Sequence, residues 1–442
     1  IIFHLGIAIG IYLFEPLSKI YFLGIVIISI YSIVHAPPKK RYIYVLISCS
    51  YIVGAEVLLR MTGGNLLYEA SKYLIILFLL IGIFLGDGVG KGSYVYFNYL
   101  LVLLPGIIVA TSSLDFETNI RKAIAFNLSG PFCLGIAALY CYKRQVSIKL
   151  LQDVLLAALL PIVSTTFYLF LYTPSIEYIL SGTHSNFQAS GGFGPNQVST
   201  ILGLGMFVIA GRIFLQSKTM FLKVVNISIL ALISYRAIIT FSRGGVLVAI
   251  IIIFAFVAAF YLKAASKTRS RIMFSLVIFS MGMVLTWYIS SLRTEGLIDK
   301  RYKNQDAIGR TKEDVTTGRS DLLINELNAF FENPFLGVGV GKLKELRLKK
   351  EGIRVSSHNE MSRIVGEHGM FGVIAFSILL LAPLFLRLQN KKNIYFYSFY
   401  LFWFLTINHS SMRIAAPAFI YGLCLLNVNY EKPPIHRKQI IK

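Results

Sequence analysis

Long apolar runs separated by short polar links dominate this 442-residue chain from end to end. A helix needs about 20 apolar residues to cross a bilayer. Runs of that kind begin near residues 1, 20, 42, 72, 93, 123, 150, 198, 224, 244, 272, 362, 394 and 413. Only 14% of the residues are charged, against roughly 25% in soluble domains. The sequence therefore predicts an all-α integral membrane protein with roughly 12–14 transmembrane helices.

The charges of the short links predict how the helices are oriented. Basic residues stand in alternate links, at 39–41, 143–144, 218–223, 263–269, 391–392 and in the tail from 432. The positive-inside rule then predicts that both termini are cytoplasmic and that 173–197, 241–245, 292–360 and 409–413 lie on the outer side. The same rule accounts for much of the net charge of +22, so a nucleic-acid partner is not indicated.

One polar segment, residues 317–369, interrupts the apolar pattern. Membrane proteins usually keep their chemistry in such segments, because polar groups can be hydrated or paired there. Residues 320–331 have apolar side chains at helical spacing, at Leu322, Leu323, Leu327 and Phe330-Phe331. This pattern predicts an amphipathic helix that lies against the bundle on those side chains.

Turn residues flank this predicted helix. Thr317 or Ser320 is predicted to cap its N-terminus. Asn333-Pro334 is predicted to end the helix, and Gly337, Gly339 and Gly341 to form a tight turn after it.

Two arginines on the predicted outer side are candidates for anion binding. Arg243 stands in Phe241-Ser242-Arg243-Gly244-Gly245 at the end of one span, where an arginine needs a partner or a wet cavity. The two glycines allow a backbone or a ligand to approach closely. Arg319 precedes the amphipathic helix, whose N-terminus would bind phosphate. The structural alternatives are a snorkelling arginine at 243 and a solvated arginine in a capping turn at 319.

His358 is the candidate for proton transfer, because histidine titrates near neutral pH. His358-Asn359 precedes the helix that is predicted to re-enter the membrane near Ser362. The alternative is a structural histidine. Possible supporting residues are Asn359, His368 and Arg413 near the outer face, Arg354 in the basic loop, and Asn196, whose amide would hydrogen-bond a polyol.

No metal or cofactor is predicted. The four cysteines lie in or beside apolar runs, and no Cys/His cluster occurs, so neither a disulfide framework nor a zinc site is indicated. The extramembrane segments contain no carboxylate cluster that would demand Mg²⁺.

These motifs, in this order and on one predicted face, resemble the O-antigen ligase and O-antigen polymerase superfamily. The resemblance covers about residues 191–373 and includes His358-Asn359, Glu367-His368-Gly369 and Gly337-Val338-Gly339. It implies a type C glycosyltransferase-like helical bundle with one large extracytoplasmic loop. It also implies a bacterial inner-membrane enzyme that acts on a glycan carried by undecaprenyl pyrophosphate.

The resemblance further implies that Arg243 and Arg319 hold the donor pyrophosphate and that His358 is the general base. The chain departs from the family after Gly318-Arg319, where the family often has a tryptophan. The acceptor would be a lipid-linked repeat unit for a polymerase or lipid A-core for a ligase, and no motif separates the two. Transfer is expected to be inverting and metal-independent.

Two other functions are possible on the sequence alone. A transporter or flippase of lipid-linked oligosaccharide would also need many helices and a basic cavity, although no internal repeat of the kind common in transporters is visible. A scaffold protein would leave Arg243 without a role.

The expected partners are the glycan donor, the acceptor glycan and membrane lipids, without nucleic acid. The expected divisions of the chain are 1–190, 191–291, 292–361 (the catalytic loop), 362–430 and the basic tail 431–442.

Overall fold

Helices dominate the fold, as the apolar runs predict. The computed structural model describes residues 1–442 except 174, 177, 178, 180, 181, 315, 317, 353–356, 390 and 431–442. The first half of the described chain consists of α1 (Ile2–Leu13), α2 (Leu17–His35), α3 (Pro38–Met61), α4 (Ala70–Leu85), α5 (Tyr94–Leu101), α6 (Leu104–Ser113), α7 (Ile120–Cys141), β1 (Gln145–Ser147) and α8 (Ile148–Tyr172).

A 3₁₀ turn at Gln188–Ser190 leads into the second half. Its elements are α9 (Pro195–Leu215), α10 (Met220–Ile239), α11 (Arg243–Lys263), α12 (Ser266–Arg293), α13 (Leu297–Tyr302), α14 (Arg319–Glu332), α15 (Lys342–Glu351), α16 (Glu360–His368), α17 (Met370–Gln389), α18 (Phe396–Ser410), α19 (Ala416–Cys424) and β2 (Asn427–Asn429). The strands β1 and β2 pair in parallel, with Val146 opposite Val428.

Ten helical segments of the described chain are long and apolar enough to cross a membrane, with α5 and α6 together forming one of them. The apolar helices α1 and α4 are shorter, and α18 and α19 stand at the last two predicted runs. The chain is therefore an all-α, multi-pass integral membrane protein.

Two predicted runs differ from the structure. The run that starts near 93 forms two helices, because Pro105 in the first turn of α6 cannot continue the helix before it. The helix predicted to enter the membrane near Ser362 is also two helices, with the second starting at Met370. Gly369 separates them at φ 61°, a backbone conformation that favours glycine. The polar helix α16 is thus distinct from the span that follows it.

Glycines set the closest helix contacts in the bundle. Gly54 of α3 lies against the Ala158 carbonyl of α8, and Gly245 of α11 lies against Ser199 of α9. Neither glycine has room for a methyl group. Membrane helices commonly use small residues in this way to bring their backbones together.

Replacing Gly54 by alanine is therefore expected to destabilise the protein by about 1–3 kcal/mol, the typical effect of overpacking. Gly24 of α2 is a matched control, because an added methyl group there would meet no atom within 4 Å. We expect Gly24→Ala to leave the Tm in detergent unchanged or raised, and Gly54→Ala to lower it. Equal Tm values for the two variants would contradict the close contact between α3 and α8.

The two ends of the bundle differ in composition. At one end the Lys263 ammonium donates to the carbonyls of Lys391 and Lys392, and the Tyr430 hydroxyl donates to the Lys392 carbonyl. This end gathers basic links that the sequence predicts to be cytoplasmic. The predicted outer segments converge at the other end, where the Asn186 amide donates to Thr240 (3.0 Å) and the Ser411 amide to His358 (3.1 Å).

The helix α14 confirms the helix predicted at 320–331, but its buried face differs from the prediction. Leu322 and Leu323 are only half-buried, whereas Glu326 and Ala329 are fully buried. The Glu326 carboxylate pairs with Arg347 of α15 (2.7 Å) and accepts a hydrogen bond from the Ser362 hydroxyl of α16. Burying a carboxylate requires such partners, so α14 is positioned by the other loop helices.

The predicted glycine turn after α14 is confirmed. Gly337, Gly339 and Gly341 have φ values of 69°, 92° and 85°. The amides of Val338 and Gly339 donate to the carbonyls of Gly366 and Glu367, both at 3.0 Å. The turn thereby satisfies the last carbonyls of α16, which have no partner inside their own helix.

Candidate active site

A cavity of about 330 Å³ lies where the predicted outer segments converge. It is lined by Ser185, Asn196, Ser242, Arg243, Gly244, Arg301, Thr316, Arg319, Ser320, Leu322, Leu323, Glu326, Ser357, His358, Asn359 and Asn408. The cavity thus brings together Arg243, Arg319 and His358, three residues that are far apart in the sequence.

The turn between α10 and α11 fixes Arg243 at the cavity. Phe241 is fully buried at φ 57° and anchors this turn in the bundle. The Arg301 guanidinium donates to the Phe241 carbonyl (3.1 Å), and Arg243 in turn donates to the Arg301 carbonyl (3.4 Å). The Ser242 hydroxyl donates to the Asn196 side-chain oxygen (2.7 Å), so the turn is tied to both α9 and α13.

The two glycines after Arg243 serve helix packing. A methyl group at Gly244 would overlap the His409 ring, and one at Gly245 would overlap Ser199. These glycines were predicted to allow a backbone or a ligand to approach closely. The structure shows that neighbouring protein groups lie against them, so the start of α11 packs closely on α9 and α18.

Arg319 stands in the first turn of α14, beside the cavity. The residue before it, Gly318, is the N-cap at φ 76° and makes no side-chain cap. Ser320 does not cap the helix as predicted, because it lies inside α14 and its amide donates to the Thr316 hydroxyl (3.3 Å). Thr317 lies outside the described residues. The dipole of this helix end adds positive potential next to the arginine.

Three guanidinium groups, those of Arg243, Arg301 and Arg319, repel one another at the cavity. Burial and the charges of Arg243 and Arg319 lower the pKa of Arg301 to about 10. Burial and the charge of Arg243 also lower the pKa of Arg319. A dianionic group in the cavity would relieve this repulsion, so the charges of the cavity suit an anion.

His358 is held by its backbone next to the arginines. Its carbonyl accepts from the Ser411 amide, and the Arg413 guanidinium donates to the Ser357 carbonyl (3.0 Å). Burial and the charges of Arg413 and Arg319, with smaller contributions from Arg347 and His409, lower the pKa of His358 to about 3. The imidazole is therefore neutral at physiological pH and can accept a proton. Its Nδ1 is buried and has no hydrogen-bond partner among the described residues.

The predicted supporting residues lie in different places. Asn359 and Asn196 line the cavity, and the Asn359 side chain also caps α16 by accepting from the Met361 amide (2.9 Å). Arg413 lies behind His358, where it holds the Ser357 carbonyl. His368 is buried elsewhere, with its ring against Gly106 of α6. It is not among the described lining residues of the cavity. Arg354 lies outside the described residues.

Two charged lining residues, Arg301 and Glu326, were not predicted from the sequence. Arg301 belongs to a loop with many basic residues, and nothing local distinguishes it from them. Glu326 offered a weak signal, since it is a carboxylate within an apolar helical pattern. Burial raises its pKa, which hydrogen bonding by Ser362 and the charge of Arg347 oppose.

The N-terminal helices also support the site, through a buried ion pair in α3. Glu56 and Arg60 are in contact at 2.6 Å, with side chains 0% and 1% exposed. The Glu56 carboxylate accepts from the Ala415 amide (2.7 Å), and Arg60 donates to the Arg413 carbonyl (2.9 Å). This pair fixes the loop that carries Arg413 behind His358.

A comparison with known protein families found a match in the second half of the chain. Residues 227–377, roughly a third of the chain, match the O-antigen ligase family. The matched segment contains Arg243, Arg301, Arg319, Glu326 and His358. No curated protein matches the chain. The match over residues 227–377 shows that this part of the chain is similar to O-antigen ligases, and it supports the resemblance of the chain to the O-antigen ligase and polymerase superfamily.

Proposed function

We propose that the protein transfers a glycan from undecaprenyl pyrophosphate to a sugar hydroxyl of an acceptor glycan, at the extracytoplasmic face of a bacterial inner membrane. The observation that carries this proposal is the meeting of three arginines and one neutral histidine in a single cavity. The arginines suit a lipid pyrophosphate, and the histidine suits a hydroxyl that must lose its proton.

Arg243, Arg301 and Arg319 would bind the pyrophosphate of the donor. As the bond between the anomeric carbon and the phosphate oxygen breaks, the electron pair stays on the pyrophosphate and its negative charge grows. Fixed guanidinium groups stabilise that charge in the transition state without reorganising. In this role the arginines replace a divalent cation, so transfer is expected to need no metal.

His358 would accept the proton of the acceptor hydroxyl. The hydroxyl oxygen forms the new bond to the anomeric carbon while undecaprenyl pyrophosphate leaves, and the proton passes from His358 to solvent. A single displacement of this kind inverts the anomeric configuration. Proton transfer by a positioned base contributes about 10²–10⁴-fold to the rate.

An apolar groove at the same end of the bundle is suitable for the polyprenyl chain. This groove has a volume of about 400 Å³ and lies between α8, α10 and α12. Its lining includes Phe170, Leu232, Tyr235 and Ile289, with Arg293 at the polar end. Apolar side chains in such a groove would shield part of the chain next to its charged head group.

The proposal is tested with purified protein, an undecaprenyl-pyrophosphate-linked repeat unit and EDTA. We expect glycan transfer to persist in EDTA, within about twofold of the rate without it, because the arginines stabilise the leaving group. A ladder of longer lipid-linked chains would show polymerisation, and transfer to added lipid A-core would show ligation. The proposal is wrong if the donor crosses vesicle membranes without chemical change, which is the result expected of a flippase.

A further inference from the structure

A second cavity, of about 610 Å³, adjoins the first at Ser357. One wall is the helix α15. The opposite wall is the 115–119 segment with the start of α7, and Arg363 and Glu367 of α16 complete the lining. Ser357 lines both cavities and immediately precedes His358. The two cavities therefore meet at the residue next to the candidate base.

Ion pairs hold the two walls of this second cavity at a fixed distance. The Asp115 carboxylate contacts the ammonium groups of Lys342 (3.1 Å) and Lys349 (2.9 Å) of α15. Lys342 also pairs with Glu345 (2.7 Å), which accepts from the Thr118 hydroxyl. These contacts join α15 to the segment between α6 and α7, so the cavity is part of the folded structure.

A buried ion pair separates the two cavities. Glu326 lines the first cavity and Arg347 lines the second, and the two side chains are in contact at 2.7 Å. Their side chains are 1% and 4% exposed, respectively. The pair is fully desolvated and would be costly to break. The ion pair therefore forms part of the wall between the two cavities.

The charges of the two cavities suit different ligands. The first has three arginines and one glutamate among its described lining residues, whereas the second has five basic and four acidic side chains. Most of those acidic groups are already paired with lysine or arginine. A polyanion would find little net charge in the second cavity, but a hydroxyl-rich chain would find many hydrogen-bond donors and acceptors.

We propose that the second cavity binds the sugar chain of the acceptor and presents its terminal hydroxyl to His358 near Ser357. This inference rests on the proposed function and specifies where its acceptor is bound. Separate cavities allow donor and acceptor to be held together in the correct geometry, which lowers the entropic cost of their reaction.

Phe126 supplies an apolar surface for this ligand. It lines the second cavity with 43% of its side chain exposed, and its ring centroid lies 6.3 Å from that of Tyr68. A pyranose has one face made mainly of C–H groups, and an exposed ring can cover that face. Phe132, on the same helix, is a matched control because it is 44% exposed and is not among the residues lining this cavity.

Cysteine labelling tests binding without relying on catalysis. Lys122 lines the second cavity, whereas its neighbour Arg121 is exposed but is not among the lining residues. The four native cysteines are all buried and free, so they give little background. Lys122→Cys and Arg121→Cys are labelled with a maleimide, with and without the oligosaccharide repeat unit released by mild acid from the organism's surface polysaccharide. We expect the oligosaccharide to slow labelling at position 122 by at least several-fold and to leave position 121 unchanged.

Equal labelling at position 122 with and without oligosaccharide would overturn the inference, whether or not the protein transfers glycans. Protection should persist when His358→Ala is added, because binding needs no proton transfer. Protection at 122 in a protein that shows no transfer would support the cavity as a glycan site but reject the proposed function.

A kinetic measurement provides the second test. Phe126→Ala is expected to raise the KM for the acceptor by about tenfold, the usual cost of truncating an aromatic anchor. The KM for the donor and the kcat at saturating acceptor should stay unchanged, as should all parameters of Phe132→Ala. An unchanged acceptor KM, or an equal loss in both variants, would contradict the proposed position of the acceptor.

Discussion

Replacing His358 by alanine is expected to reduce the kcat of glycan transfer by about 10²–10⁴-fold, the usual contribution of a positioned general base. The neutral imidazole lines the cavity beside the arginines, and no other histidine is among the described lining residues. The measurement is the initial rate of transfer at saturating donor and acceptor. Binding of the donor should survive the change, because the arginines are intact.

His35 provides a control for this substitution. It is an exposed histidine at the end of α2 and is hydrogen-bonded to the Tyr31 carbonyl. His35→Ala should transfer glycan at the wild-type rate. Full activity of a folded His358→Ala protein would remove His358 as the base. Glu326, the carboxylate in the same cavity, would then be tested as Glu326→Gln, although its partners Arg347 and Ser362 indicate a structural role.

The pH dependence follows from the lowered pKa of His358. A general base is active when deprotonated, so activity is lost as the pH falls through its pKa. In the free enzyme that pKa is about 3, so kcat/KM should not fall until well below about pH 5. Bound pyrophosphate would offset the charges of Arg413 and Arg319 and raise this pKa. The acidic limb of kcat should therefore lie at a higher pH than that of kcat/KM.

This prediction is sensitive to the environment of the histidine. A loss of kcat/KM near about pH 6.5, the value for an unperturbed histidine, would contradict the lowered pKa of His358. Absence of the acidic limb in His358→Ala would assign the limb to this residue.

Replacing Arg319 by alanine is expected to lower kcat by about 10²–10³-fold, as removal of a single preorganised charge-stabilising donor does in other active sites. Arg319 lies at the cavity and at the N-terminus of α14, where the proposed mechanism places the growing charge of the leaving pyrophosphate. Arg319→Lys should recover only part of this loss, since lysine keeps the charge but lacks the planar pair of donors. Transfer rates at saturating donor give the effect on kcat.

Arg310 is a matched control in the same loop. Its side chain is 76% exposed and pairs with Asp306. Arg310→Ala removes the same formal charge as Arg319→Ala, but at a position outside the cavity. It should therefore change kcat by less than about twofold. If Arg310→Ala and Arg319→Ala lost activity equally, the arginines would act through the overall charge of the loop. Arg301→Ala is expected to resemble Arg319→Ala.

Much of the fold is encoded in local sequence patterns. Apolar runs of membrane length predicted the helices, because a bilayer forces each spanning segment to satisfy its own backbone hydrogen bonds. The sequence also predicted the turn at Gly337, Gly339 and Gly341, because backbone conformations with positive φ angles favour glycine. The arginine at 243 was recognisable as a candidate because a charge at the end of a span is costly.

Other features depend on contacts between distant segments and left little or no local signal. Arg301 became a site residue because α13 packs on the Phe241 turn, and Glu326 because it pairs with Arg347 across two loop helices. The apolar pattern of α14 predicted that the leucines form the buried face of this helix. That prediction was wrong, because the paired charge of Glu326 is buried instead.

The sequence by itself determined that this is a membrane-spanning helical protein with its polar residues concentrated in a few segments. Only the tertiary structure decided which of those residues meet. It brought Arg243, Arg319 and His358 to one cavity, left His368 outside, and formed a second cavity next to Ser357. The physical reason is that hydropathy and backbone conformation act along the chain. The contacts between helices and loops instead join residues that can be hundreds of positions apart, as between Glu56 and Ala415.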